Sequence, residues 1–163
     1  MSPRLSFNAV DSGAYRAMSQ LEQYVRQSGL EPSLLELVRM RASQINGCGY
    51  CLDMHSKDAR VAGETEQRLY LLDAWREAPF YTPRERAALA WTEALTLIGH
   101  GHVPDDVYTE ARGHFTEEEL VKLAMAIVAI NGWNRLAIAF RADVGSYQPA
   151  HHDAVGRARV KDA

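Results

Sequence analysis

Helix-start signals recur along this chain, and they constrain its fold more than any other feature. Three segments, beginning at Ser33, Thr82 and Thr116, place Ser or Thr three residues before Glu. This is the spacing of a capping box, in which the two side chains satisfy backbone N–H groups at the start of a helix. Pro83 follows Thr82 at the first helical position, where proline is favoured. No segment shows sustained period-two alternation bounded by turn residues, so we expect no β-sheet.

These patterns predict an all-α protein, a bundle of about seven or eight short helices in a single domain. We expect helices over residues 12–27, 33–46, 48–62, 65–78, 82–98, 104–111, 120–130 and 133–141. Asn131 and Gly132 are predicted to break or kink the chain between the last two helices. The helical domain is assigned to residues 1–145, and a polar C-terminal tail to residues 146–163.

Residues 120–130 are apolar nearly all round, which is typical of a helix at the centre of a core or at a subunit interface. We therefore favour a homo-oligomer. The run contains Lys122 and is too short to span a bilayer, so no membrane association is expected. A net charge of −3 gives no basic footprint for nucleic acid. The N-terminus lacks the apolar core of a signal peptide, and two cysteines make no disulfide scaffold, so we expect a cytoplasmic protein with reduced thiols.

Cys48 and Cys51 are the only cysteines, and His55 follows Cys51 by one helical turn. On a helix these three residues share one face, which indicates thiol–disulfide chemistry. Cys48 would begin its helix, where unpaired N–H groups and the helix dipole stabilise a thiolate. Either sulfur could attack a peroxide oxygen, after which the other would close a disulfide. His55 is placed to take the proton of Cys51.

Other interpretations of these residues remain open. Both cysteines could be inert thiols of the core. A zinc site is also possible, but it needs a fourth ligand, which His100, His102, His114 or Glu36 could provide only by tertiary contact. Glu36 has a structural interpretation of its own, as the capping-box partner of Ser33.

Glu36 lies twelve positions before Cys48 and completes a Glu-x11-Cys-x2-Cys-x3-His pattern. Together with the surrounding residues 40–55, this pattern resembles the alkylhydroperoxidase D-like (AhpD-like) branch of the carboxymuconolactone decarboxylase family. The segment 131–135 is also similar to small members of that family, and we expect Asn134 and Arg135 to form a hydrogen-bond network between helices or subunits. The resemblance implies an AhpD-like helical bundle that assembles as a trimer or hexamer.

The resemblance also implies roles for the site residues. Cys51 would meet the peroxide, Cys48 would resolve the product into a disulfide, and Glu36 with His55 would form the proton relay. An external dithiol, such as a lipoyl domain or a thioredoxin-like protein, would regenerate the pair, and no bound cofactor is implied. The expected function is a thiol-dependent peroxidase or disulfide oxidoreductase acting on alkyl or hydrogen peroxides. The alternative is a non-enzymatic redox-sensing or zinc-binding oligomer.

Tyr50 is the one departure from the family pattern. The best-known peroxidase members carry a histidine just before the second cysteine, and tyrosine near neutral pH is a hydrogen-bond donor but a poor base. The relay would then depend on Glu36 and His55 alone. The decarboxylase branch of the family lacks the cysteine pair, so its lactone chemistry is not expected here.

Overall fold

A computed structural model describes residues 2–149, and every regular element within them is a helix. The α-helices are α1 (Phe7–Val10), α2 (Ser12–Arg26), α3 (Pro32–Asn46), α4 (Gly49–Val61), α5 (Glu66–Tyr70), α6 (Pro83–Thr96), α7 (Asp105–His114) and α8 (Glu117–Phe140). A 3-10 turn, Leu72–Ala74, follows α5. The all-α prediction is thereby confirmed.

Side-chain caps determine where several helices begin. Asp11 caps α2 by accepting from the N–H groups of Gly13 and Ala14. Thr82 and Thr116 form complete capping boxes at the starts of α6 and α8, as the sequence predicts. Each threonine accepts from the backbone N–H three residues on, and the glutamate there accepts from the N–H of the threonine.

The capping box predicted at Ser33 is wrong. Pro32 is the first residue of α3, so Ser33 lies inside the first turn, and Glu31 occupies the cap position without a side-chain hydrogen bond. Proline suits this start because its fixed φ is helical and the first position has no use for an N–H donor. The Glu36 carboxylate instead contacts His55 on α4.

Of the break or kink predicted at Asn131 and Gly132, the break is wrong, because α8 runs without interruption over 24 residues. Gly132 marks a close helix–helix contact: a Cβ atom there would lie 2.8 Å from Cε of Met18 on α2. The longer helix also overturns the argument from length against a membrane span, since α8 is long and apolar enough, by length and composition alone, to cross a bilayer. In this structure α8 packs within the bundle against α2, α3 and α6.

The helices bury their apolar faces in three clusters, and the smallest surrounds the cysteines. It consists of Ala42, Cys48, Cys51 and Ile130. Because α3 packs against both α4 and α8, the turn that carries Cys48 is enclosed by three helices. Residues 150–163, most of the predicted tail, lie outside the described residues.

Candidate active site

The turn between α3 and α4 positions Cys48. Gly47 ends α3 in the left-handed conformation, with a φ of 67° that glycine adopts without strain. The N–H of Cys48 then donates to the carbonyl of Ser43 at 3.0 Å. Cys48 is the N-cap residue of α4, and its sulfur accepts from the N–H of Cys51 at 3.4 Å. The predicted helix start at Cys48 is thereby confirmed to within one residue.

The sulfur atoms of Cys48 and Cys51 lie within bonding distance of each other. Their Cα atoms are 5.4 Å apart, inside the range of about 4.4–6.8 Å that disulfides usually span. Each cysteine is only 1% exposed. The separation of the two Cα atoms is therefore compatible with a disulfide between these residues.

Helices α3 and α4 bring together Glu36 and His55. Oε2 of Glu36 lies 2.8 Å from Nδ1 of His55, and both side chains are largely enclosed. Burial raises the pKa of Glu36, but the hydrogen bond and charge of His55 and the charge of Arg39 outweigh it and hold that pKa below its ordinary value of 4.5. An ionised carboxylate only accepts, so Nδ1 of His55 is the donor in this hydrogen bond.

A second buried ion pair extends this site toward α2. The Arg39 guanidinium is 2.6 Å from Oε1 of Glu36 and 2.6 Å from Oε1 of Glu22. A charged chain thus runs from Glu22 through Arg39 and Glu36 to His55. Neither Arg39 nor Glu22 was predicted from the sequence. The three-residue spacing of Glu36 and Arg39 on one helix is visible in the sequence, whereas nothing local marks Glu22 as a partner.

Buried amides connect the cysteine turn to α8. Nδ2 of Asn46 donates to Oδ1 of Asn131 at 2.9 Å and to Oδ1 of Asn134 at 2.8 Å. Nδ2 of Asn134 donates to Oγ of Ser43 at 3.0 Å. Arg135 contributes as well, because its guanidinium donates to the backbone carbonyl of Asn131 at 2.8 Å. The predicted network between helices is therefore present at Asn134, whereas Arg135 bonds to Asn131 within α8. Asn46 is the member that sequence reasoning missed.

A groove of about 310 Å³ reaches the site from the side of Glu36. Its walls come from the starts of α3 and α6 and the end of α4, and the ion-paired side chains of Glu64, Arg68 and Glu85 lie along it. Neither cysteine lines this groove, and nor does His55. Glu36, with a side chain 16% exposed, is therefore the one of the four predicted site residues that lines the groove.

The structure leaves the other candidate histidines away from the cysteines. His100 and His102 lie exposed on the loop after α6, and His114 ends α7 with Nε2 3.2 Å from Glu110. Within residues 2–149, no group of three or more His, Cys, Asp or Glu side chains is arranged to hold a metal ion. Tyr50 packs, partly buried, against the cysteine cluster.

Comparisons with known proteins identify relatives of this chain. A sequence profile of the carboxymuconolactone decarboxylase family matches residues 13–94. YdfG of Bacillus subtilis, a protein without an assigned function, is 46% identical over 139 residues, which are 85% of this chain and 95% of YdfG.

Solved structures share the fold. A protein of unknown function from Agrobacterium tumefaciens, for which a role as the antioxidant defence protein AhpD has been suggested, superposes with a TM-score of 0.87 at 44% identity. That match covers 90% of this chain and 100% of the other. The debrominase Bmp8 superposes with a TM-score of 0.72 at 22% identity over 80% of this chain and 70% of its own, which indicates a common fold alone.

Proposed function

Because this chain belongs to the carboxymuconolactone decarboxylase family and has an AhpD-like fold, we propose that it reduces alkyl or hydrogen peroxides through Cys48 and Cys51. The observation that carries this proposal is the buried carboxylate–imidazole pair, with Glu36 and His55 2.8 Å apart. His55 lies one helical turn beyond Cys51, so the two residues share a face of α4.

Cys51 is the proposed nucleophile. His55 accepts the thiol proton through Nε2, and ionised Glu36 stabilises the imidazolium that results. The Cys51 thiolate attacks one peroxide oxygen, so an S–O bond forms and the O–O bond breaks. The leaving oxygen takes a proton and departs as an alcohol or water, and Cys51 is left as a sulfenic acid.

Cys48 completes the cycle. Its sulfur attacks the Cys51 sulfenic acid, so the S–S bond forms, the S–O bond breaks and water leaves. The position of Cys48 at the N-cap of α4 favours its thiolate. An external dithiol then returns two electrons and two protons, and itself becomes a disulfide. We propose that this donor is a lipoyl-bearing domain or a thioredoxin-like protein.

We also propose that the protein acts in the cytoplasm as a trimer or hexamer. Support for assembly comes from α8, which contributes buried residues to the core and yet leaves apolar side chains in solvent. Val121 is 61% exposed and Val128 is 53% exposed on that helix. Burying such side chains against another copy removes apolar area from water.

The test counts free thiols in reduced, chelator-treated protein before and after a small excess of an organic peroxide, and again after a dithiol is added. We expect rapid loss of both thiols, recovery with the dithiol and repeated turnover. Cys51→Ser should abolish turnover, whereas Cys48→Ser should react once and retain a sulfenic acid that dimedone traps. Two thiols that survive the peroxide would contradict the proposal. A disulfide that forms but never turns over with any dithiol would indicate a redox sensor instead.

A further inference from the structure

We propose that Asn134 on α8, together with Asn131 and Asn46, positions the turn of Cys48 and thereby sets the thiol–disulfide equilibrium of Cys48 and Cys51. The inference rests on the proposed redox function of the cysteine pair. It assigns a role to amides that contact neither sulfur and hold the backbone before Cys48.

Asn134 holds the turn at two points. Its Oδ1 accepts from Nδ2 of Asn46 at 2.8 Å, and its Nδ2 donates to Oγ of Ser43 at 3.0 Å. The carbonyl of Ser43 in turn accepts the N–H of Cys48 at 3.0 Å. One side chain on α8 therefore fixes both the residue that bonds the Cys48 backbone and the last residue of α3.

Asn131 gives Asn46 a second anchor. Its Oδ1 accepts from Nδ2 of Asn46 at 2.9 Å. Its own Nδ2 donates to Oγ1 of Thr96 at 3.1 Å and to the carbonyl of Ile127 at 2.9 Å. Because this amide is held by α6 and by its own helix, it presents a fixed acceptor to the cysteine turn.

The burial of these amides indicates that they do more than join two helices. Asn134 is 0% exposed, on a helix whose other buried residues are almost all apolar. A buried amide is costly unless its groups are bonded, and apolar side chains alone pack helices well. Ile130, on the same helix, belongs to the buried apolar cluster that contains the two cysteines. Helix α8 thus contacts the cysteine turn through both an apolar residue and a bonded polar network.

This network should favour the disulfide over the dithiol. Two thiols form a disulfide more readily the better their backbones are held at the bonding geometry, because less freedom is then lost on closure. Loosening the turn lowers the effective concentration of the Cys48 thiol at Cys51. A hydrogen bond with a purely structural role stabilises the oxidised and reduced proteins equally, so its loss leaves the equilibrium between them unchanged.

The experiment equilibrates the full chain with mixtures of reduced and oxidised dithiothreitol. Protein disulfide and dithiothreitol give protein dithiol and the cyclic disulfide of dithiothreitol, and alkylation with mass spectrometry gives the reduced fraction. We expect Asn134→Ala to raise the equilibrium constant for reduction about fivefold or more, the effect of one net hydrogen bond. The matched control is Thr92→Val, which removes a buried side-chain hydrogen bond to the carbonyl of Ala88 in α6. The equilibrium constant of this control should stay within about twofold of the wild-type value.

An equilibrium constant for Asn134→Ala that matches the wild type, or shifts no more than that of Thr92→Val, would overturn the inference. If Asn134→Ala does not fold, Asn46→Ala is tested by the same criterion. This substitution removes the donor to both Asn131 and Asn134, at a residue that is only partly buried. Failure of the proposed function looks different, because the wild-type pair would then form no disulfide with peroxide, or form one without turning over. If the wild-type pair cycles and the variants have the same equilibrium constant for reduction, only this inference is contradicted, and the proposed function stands.

Discussion

Glu36 on α3 and His55 on α4 face each other with Oε2 and Nδ1 2.8 Å apart, and this contact joins the two helices on either side of the cysteine turn. It also excludes the capping-box interpretation of Glu36, since its carboxylate faces the imidazole and not the start of its own helix. A carboxylate held below its ordinary pKa, beside a buried imidazole, is an arrangement suited to moving a proton.

Replacing Glu36 with glutamine should slow peroxide turnover while the protein remains folded. The amide keeps the size of the side chain but removes the charge that stabilises protonated His55. Since general-base catalysis typically contributes about 10²–10⁴-fold, we expect a loss of roughly 10²-fold, measured as consumption of an organic peroxide with excess dithiol. Circular dichroism checks the fold, and a variant that is inactive because it has unfolded would support a packing role for Glu36.

The pH dependence of stability should identify the same carboxylate. Its pKa in the folded protein lies below the ordinary 4.5, so ionised Glu36 stabilises the folded state above pH 4.5, and that contribution is lost as the pH falls through the lower folded value. The free energy of unfolding of the wild type should therefore exceed that of Glu36→Gln most near neutral pH. Urea denaturation from pH 7 to about pH 3 measures the difference, and a difference independent of pH would count against this assignment.

His55→Asn should suppress reaction with peroxide without removing the contact to α3. Asparagine can still donate a hydrogen bond to Glu36, but it cannot accept the Cys51 proton. We expect the rate of thiol loss to fall at neutral pH by about 10²-fold. The rate should recover as the pH approaches about 8.5, the ordinary pKa of a free cysteine thiol, because the thiolate then forms without a base. His114→Asn, on α7 and outside the site, is the matched control and should behave as the wild type. Equal rates for the two variants would exclude His55 from the relay.

The caps make a separate prediction about stability. Thr116→Ala removes the side-chain acceptor at the start of α8 and should lower the free energy of unfolding by about 1 kcal/mol. Ser33→Ala should change it by less than about 0.5 kcal/mol, because Ser33 is exposed and caps nothing. Chemical denaturation of both variants tests this contrast. A larger loss of unfolding free energy for Ser33→Ala would indicate that Ser33 does cap α3, against the structure.

Charges on the exposed face of α8 should disrupt assembly. Val121→Glu combined with Val128→Glu places two carboxylates where we propose that copies meet, so analytical ultracentrifugation should show a smaller species than the wild type. Val61→Glu, at a similarly exposed valine on α4, is the control and should sediment as the wild type. A double variant that keeps the wild-type assembly would move the interface elsewhere.

Local chemistry explains which parts of the fold were predictable. Asp11, Thr82 and Thr116 act on N–H groups within three residues, and Gly47 ends a helix through its own φ. Such features are fully encoded in short segments, so the helix starts and the all-α class follow from them. The cysteine pair and His55 were predictable for the same reason, since one helix carries all three.

The errors and omissions arise where distant residues decide. Gly132 was predicted to break the helix because glycine has a low helix propensity. Its lack of a side chain instead leaves room for Met18 of α2. Glu22 pairs with Arg39 across 17 positions, and Asn46 with Asn134 across 88. Neither pairing has a local pattern, because it depends on how α2 and α8 pack against α3.

The groove beside Glu36 and the burial of both cysteines affect how molecules reach the proposed site. Glu36 meets water from the side of α3, whereas both cysteines are 1% exposed and lie away from that opening. In the proposed cycle, a peroxide or a donor dithiol can therefore reach a sulfur only when the residues that cover the cysteines move aside.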